Sequence, residues 1–212
     1  MVETVNVCSG AAPEHTLPDL ADGAFVVAAD GGADAALALG LHVDLAIGDF
    51  DSISDGALAE LGRAGTRIER HPSAKDATDL ELALDAALAA EPHSILVVGS
   101  AGGRLDHLLS SLELLASARY ARVQLDAQLG GARVHVIRGS RALEGSPGEL
   151  LSLYALHGAA HNVVTEGLVY PLVGETLEPG SSRGISNAFA GSAARVSLAR
   201  GVLLAVRPGA EQ

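Results

Sequence analysis

The sequence predicts two domains of different class: an α/β domain with a mostly parallel sheet, then a small all-β domain. Through the first 130 residues, short apolar runs alternate with segments of helical periodicity, and clusters of Gly and Asp stand where the runs end. From about residue 131 the helical pattern stops, and short strand-like runs follow one another, split by Gly, Pro and Ser. Gly130-Gly131 marks the change, which places the domains at 1–130 and 131–212.

Composition sets the outer limits. The chain has 212 residues, 48% of them hydrophobic, with 25 Gly, no Trp, three Phe and three Tyr, so small side chains must fill much of the interior. A formal charge of −12, with no basic stripe to offset it locally, argues against a nucleic-acid or anionic-membrane partner. The single cysteine, Cys8, excludes an intramolecular disulfide framework and a thiolate-rich zinc site, and is read as a small buried strand residue. No basic segment followed by an apolar run stands at the start, and no apolar span of about 18 residues occurs. The expectation is a soluble cytoplasmic protein.

The elements follow in order. Thr4 to Ser9 alternates weakly and forms a first strand. The turn-rich AAPEHTLPDLADG after it is a loop with one short helical turn, and its His15 has no partner at ligand spacing. Phe25 to Ala29 is an apolar strand running into Asp30-Gly31-Gly32, where glycine lets a ligand approach the backbone. Ala33 to Leu39 is a short helix closed by Gly40, but the paired glycines lack the dinucleotide spacing G-x-G-x-x-G.

The next stretch organises the chain. Leu45-Ala46-Ile47 reads as an internal strand with a tight exit at Gly48, so that Asp49 and Asp51 emerge on the rim where α/β sheets bind ligands. In an extended segment residues i and i+2 share a side, and the two carboxylates could then hold one hard cation. A turn, in which Asp, Gly and Ser serve local geometry, is the competing reading.

Ser54 caps a helix from Asp55 to Leu61, Gly62 and Gly65 bracket its end, and Thr66 to Glu69 is a strand. Lys75, Asp76, Thr78 and Asp79 stand at the mouth of a strong helix that ends before Pro92. Capping alone accounts for Asp and Thr at a helix start, but four polar groups including a lysine exceed that need. Asp76 and Asp79 face the same way if the first turn is formed. Ser94 to Val98 is the clearest buried strand, and it runs through Gly99-Ser100-Ala101-Gly102-Gly103-Arg104 into a helix with Leu108, Leu112 and Leu115 on one face. Free N–H groups at that helix start, beside Arg104, suit an anionic phosphate, while His107 lacks an orienting group and is read as structural. Asp30, Asp49/Asp51, Asp76/Asp79 and Arg104/Asp106 thus come from four segments that the topology brings to one rim.

In the second domain Arg133 to Ile137, Leu150 to Ala155, Val163 to Glu166, Ala193 to Leu198 and Val202 to Val206 are short strands of a sandwich or partial barrel. Residues 180–187, GSSRGISN, form either a hairpin loop or a source of hydroxyl and amide groups for a neutral or cationic substrate. Carboxylates and Gly-rich helix starts without a conventional nucleophile favour metal-assisted phosphoryl or pyrophosphoryl transfer. The P-loop and protein-kinase motifs are absent. The residues by themselves reach as far as a Mg²⁺-dependent enzyme acting on a nucleotide or a phosphorylated small molecule.

Five segments, AADGGAD at 28–34, DLAIGDFDSI at 44–53, KDATDLELAL at 75–84, GSAGGRLDHLL at 99–109 and GLVYPLVGETLEPGSSRGISN at 167–187, resemble the thiamine pyrophosphokinase (thiamine diphosphokinase) family in sequence and in order. The resemblance implies a Rossmann-like α/β domain, a C-terminal β-sandwich, and a homodimer with active sites between subunits. It implies pyrophosphoryl transfer from ATP to the thiamine hydroxyl, giving thiamine diphosphate and AMP. Under it, Asp49, Asp51 and Asp79 organise magnesium and polyphosphate, and Asp30 and Asp76 assist them. Gly31, Gly32, Lys75 and Thr78 stand in the same nucleotide-binding motifs, and Arg104 and Asp106 place the nucleotide. Ser186 and Asn187 lie near the thiamine pocket, and Asp79 or Asp51 takes the hydroxyl proton. Two positions depart from the family's pattern: Ala188 stands where an acidic residue usually follows Ser-Asn, and Ser111 where Asn is common. With no Trp in the chain, a ring contact to thiamine must come from Tyr, Phe or aliphatic groups, Tyr170 among them. Another alcohol acceptor, or a nucleotide-sensing protein without turnover, are the alternative readings.

Overall fold

The computed structural model describes residues 2–10, 20 and 23–209; the expected loop around His15 lies outside them. The chain divides into two compact units, Met1–Ser111 with Arg122–Gly131, and Leu112–Ala121 with Ala132–Gln212.

The first unit alternates strand and helix: β1 (Thr4–Ser9), β2 (Phe25–Ala29), α1 (Gly32–Ala38), β3 (Leu45–Gly48), α2 (Asp55–Ala64), β4 (Arg67–Arg70), α3 (Asp79–Ala89), β5 (Ser94–Gly99), α4 (Leu105–Leu115, running into the second unit) and β6 (Gln124–Leu129). Its strands lie in the order β6-β5-β1-β2-β3-β4, every neighbouring pair parallel. A parallel sheet is covered on both faces, so its inner strands read as unbroken apolar runs. All four residues of β3 are buried, as are Val5 to Cys8 of β1. Only β4, RIER, is mostly exposed, and its charges blunt an open edge.

Local chemistry fixes the helix ends. Ser54 caps α2 by accepting the Ala57 N–H at 3.2 Å, and Gly65, left-handed at φ 77°, closes it. Thr78 caps α3 by accepting the Glu81 N–H at 3.2 Å. The small side chains have the expected effect on packing. A Cβ on Gly32 would lie 2.1 Å from the Cys8 carbonyl oxygen, so the start of α1 rests directly on the β1 backbone. Burial pushes the Cys8 thiol up to about 12, which leaves it an inert strand residue.

The second unit is all-β: β7 (Ala132–Ile137), β8 (Ser140–Glu144), β9 (Leu150–Ala155), β10 (Ala160–Glu166), β11 (Val173–Leu177), β12 (Asn187–Ala188), β13 (Ala193–Ser197) and β14 (Leu203–Arg207). Strands β12-β9-β14-β7 form one antiparallel layer and β11-β10-β13-β8 the other. Inward-facing Leu143, Leu151, Leu153, Val163, Phe189, Val196 and Leu203 fill the space between them, the arrangement of a β-sandwich. Phe189 is fully buried, and Gly145 admits it: a Cβ there would stand 2.7 Å from the ring. Among the described residues no helix is long and apolar enough to cross a membrane.

Candidate functional site

Three adjacent parallel strands deliver three carboxylates to one place. Asp30 follows β2, Asp49 follows β3, and Asp79 opens the helix after β4, all at the carboxyl end of the sheet where α/β folds bind ligands. One oxygen from each lies within 4.8 Å of the others. Asp30 adopts φ 46° and donates its N–H to the Ile47 carbonyl at 2.9 Å, which turns its side chain over the end of β3. Gly48, at φ 149°, leaves the room: a Cβ there would stand 3.0 Å from Asp79 Oδ1 and 3.1 Å from Asp30 Cβ.

The electrostatics are those of a cation site. Asp30 is 8% exposed, and burial raises its carboxyl above the ordinary range; the Gly31 N–H opposes this, and the charges of Asp79 and Asp51 add to it. Its buried Oδ1 has no hydrogen-bond partner among the described residues. Among the described residues Asp79 Oδ1 also lacks a hydrogen bond of good geometry, and the Lys75 ammonium lies 3.0 Å from it, a contact of charges. Lys75 Nζ lies 3.6 Å from Asp49 Oδ2 as well. Burial acts to lower the lysine pKa, but Asp79 and Asp49 outweigh it, and the ammonium stands above its ordinary value. The Ser73 hydroxyl, and after it Lys75, hold Asp49 below the usual carboxylate range. Two of the three carboxylates, Asp49 and Asp79, meet one ammonium, and an all-oxygen donor set with an unpartnered buried oxygen fits a hard divalent ion such as Mg²⁺.

Other expected residues are not among the three clustered carboxylates. Phe50 adopts φ 61°, so the chain from Asp49 to Asp51 is not extended and the expected same-side alternation is broken. Asp51 is exposed and accepts the Ser52 hydroxyl at 2.8 Å, while Asp30 takes the third place in the cluster. Asp76 is exposed and precedes α3, whose first residue is Asp79, so no first turn aligns the two. Arg104 donates to Asp106 through Nε at 3.2 Å and Nη2 at 2.6 Å, and each raises or lowers the other toward its charged form. His107 is exposed. Gly31 and Gly32 sit at the start of α1, with a Gly31 Cβ position 3.2 Å from the Ser52 carbonyl.

Two supporting contacts escape motif reading. Ser73 reaches Asp49 from the β4–α3 loop. Asp34, on α1, accepts both the N–H of Ser54, at 3.0 Å, and its hydroxyl, pinning the far end of the Asp49–Ile53 loop. The signal for the second lay in Ser54, whose double use as cap and donor needs an acceptor from another segment.

The second unit holds a polar pocket of about 410 Å³, lined by Tyr170, Leu172 and residues 181–187. Ser186 lines it at φ 56°, donating its N–H to Ser152 Oγ at 3.0 Å. Asn187 is buried and its amide is spent on the chain: Nδ2 donates to the Tyr170 carbonyl at 2.6 Å, and Oδ1 accepts the Tyr170 and Ala188 N–H groups at 3.0 and 2.9 Å. It therefore shapes the wall, with exposed Tyr170 held in place. Arg183 forks onto Glu175, both bonds 2.8 Å, which neutralises the guanidinium at the pocket and keeps the glutamate below its usual range. Ala188, in β12, pairs with Leu150 of β9.

The family model described as thiamin pyrophosphokinase, catalytic domain, matches residues 19–126, just over half the chain and all of the acidic cluster. That described as thiamin pyrophosphokinase, vitamin B1 binding domain, matches residues 134–203, which include the pocket. The thiamine pyrophosphokinase of Bacillus subtilis (strain 168) is 29% identical over 214 residues, spanning 97% of this chain and 99% of that protein. A crystal structure of thiamine pyrophosphokinase from Bacillus subtilis superposes with a TM-score of 0.86 at 26% identity, over 99% of this chain and 100% of that one. One from Geobacillus thermodenitrificans gives 0.81 at 27% identity, over 99% and 98%.

Proposed function

The chain belongs to the thiamin pyrophosphokinase family, and from that premise we propose that it moves a pyrophosphoryl group from ATP to the hydroxyl of thiamine. The hydroxyl oxygen bonds to the β-phosphorus, the bond from that phosphorus to the α–β bridging oxygen breaks, and AMP leaves with thiamine diphosphate as the other product. The observation that carries the reading is the convergence of Asp30, Asp49 and Asp79, with Lys75, at the carboxyl end of β2, β3 and α3's strand β4. Magnesium, when bound there, supplies charge neutralisation for the polyphosphate.

The chain's own groups do the rest. Asp30, Asp49 and Asp79 hold the ion, and Ser73 and Lys75 keep Asp49 ionised. Arg104, oriented by Asp106, faces the nucleotide. Asp51, exposed and outside the cluster, accepts the proton lost from the hydroxyl. In the second unit the pocket of Ser181–Asn187 receives the thiamine, and because Glu175 cancels the charge of Arg183, its wall does not repel a cation. Two copies of the chain form a homodimer in which the pocket of one completes the site of the other.

A second reading, transfer to a different alcohol, draws on Ala188 and on the Asn187 amide being occupied by the Tyr170 backbone, which leaves recognition to the serines. Both readings meet one assay: AMP release from ATP and Mg²⁺ with and without thiamine, the product checked by mass. Thiamine-dependent AMP, matched by thiamine diphosphate, is expected. AMP that appears only with another alcohol selects the second reading, and light scattering of the eluted protein checks the dimer.

A further inference from the structure

Of the 14 Lys and Arg residues in the chain, 13 are Arg, and the one lysine is Lys75. The two side chains are not interchangeable: guanidinium is a planar fork suited to a fixed pair, whereas ammonium is a compact charge on a flexible stem. The lysine stands in the acidic cluster, 3.0 Å from Asp79 Oδ1 and 3.6 Å from Asp49 Oδ2. Asp79 Oδ1 is also the buried oxygen that, with Asp30 Oδ1, has no hydrogen bond and faces the gap left by Gly48. Magnesium binds oxygen at about 2.0–2.1 Å. An ion on Asp79 Oδ1 would therefore meet an ammonium attached to the same atom, and two cations that close repel. The segment carrying Lys75 is non-helical, since α3 begins only at Asp79, so its side chain can swing without unwinding a turn.

We propose that Lys75 is a tethered stand-in cation: in the free protein it holds Asp49 and Asp79 together, and when the metal binds it gives up that position and pairs with the anionic polyphosphate. The proposal rests on the metal and ATP reading above and adds an exchange of one cation for another within it. The exchange keeps Asp49 and Asp79 compensated before substrate arrives, and it places a positive charge on the substrate side only once the metal is in.

Two opposed signs follow for Lys75→Met. Mn²⁺ binding to the nucleotide-free protein, followed by the paramagnetic resonance of free Mn²⁺, should tighten by at least ~5-fold, the low end of a typical coupling between sites. Binding of α,β-methylene-ATP, whose α–β bridge resists cleavage, should weaken at saturating metal. A purely structural lysine would weaken both, and that result, or an unchanged Mn²⁺ affinity, overturns the proposal. The wild-type protein gives an independent check. Lys75 is its only side-chain amine, so acetylation of that residue by acetic anhydride, read by peptide mass, should speed up several-fold when Mg²⁺ replaces KCl at matched ionic strength. An equal or slower rate overturns the exchange while leaving the metal site intact. No Mn²⁺ binding by either protein, with or without nucleotide, removes the metal reading itself and the proposal with it.

Discussion

Gly48 and Asp51 define what single residues contribute at the acidic rim. Gly48 occupies a backbone conformation that L-residues rarely adopt, and its missing side chain is the space into which Asp30 and Asp79 turn. Gly48→Ala should cost roughly 1–3 kcal/mol by urea unfolding, from strain and from forcing the carboxylates apart, and should weaken Mn²⁺ binding as well. Gly62, exposed in α2 with nothing near its Cβ position, is the contrast. Gly62→Ala should raise stability by about 0.5–1 kcal/mol and leave the metal untouched. Under the proposed function the carboxylates separate by role in the same way. Asp49→Asn and Asp79→Asn should cut turnover by at least ~10²-fold and lose metal affinity together. Asp51→Asn should lower turnover by a similar factor while Mn²⁺ still binds near its normal strength. Metal loss in that variant too would place Asp51 among the ligands, and turnover near normal in Asp79→Asn would sink the assignment of the cluster.

At the scale of elements, the segment between β11 and β12 is held by one exposed fork and one buried amide, and the fork is open to titration. Arg183 keeps Glu175 below its usual range, so whatever the pair contributes is present above the ordinary glutamate pKa and is lost as pH falls through the lowered value. The difference in melting temperature between wild type and Glu175→Gln should therefore be visible at neutral pH and vanish in acid; a difference constant with pH would mean that the fork contributes nothing. The elements themselves were largely legible in the chain. Periodicity and caps locate β1, β2, β3, β5 and all four helices, because buried parallel strands and amphipathic helices write continuous patterns, and short runs between turn residues locate β4, β7, β9, β10, β13 and β14. The strands that escaped are of another kind. β8 and β11 are the two edges of their layer, half exposed and polar, and β12 has two residues. In β6, QLDAQL, polar residues interrupt the apolar run. The site was legible as a set of segments and not as a geometry. Which carboxylates meet depends on the register of β2, β3 and β4 and on the turn at Phe50, and neither is encoded within a single motif.

For the molecule as a whole, under the proposed function the formal charge of −12 on 212 residues acts on thiamine and ATP in opposite directions. Thiamine carries a positive charge and is drawn in by an acidic surface, whereas metal-bound ATP keeps a net negative charge and is repelled until it reaches the rim. Fields of this kind are screened by salt, with a Debye length of about 10 Å at 0.1 M ionic strength and about 30 Å at 0.01 M. Raising KCl at saturating Mg²⁺ should therefore lower kcat/KM for thiamine and raise it for ATP. The sites themselves respond less, since the acidic cluster is partly buried and the Arg183–Glu175 fork already cancels the charge within the pocket. Steady-state kinetics over a salt series separates the two levels. Slopes of opposite sign place the effect in the field of the whole protein. Slopes that fall together would instead point to salt acting on the site, through loss of the ion pairs that hold Asp49, Lys75 and Asp79 in place.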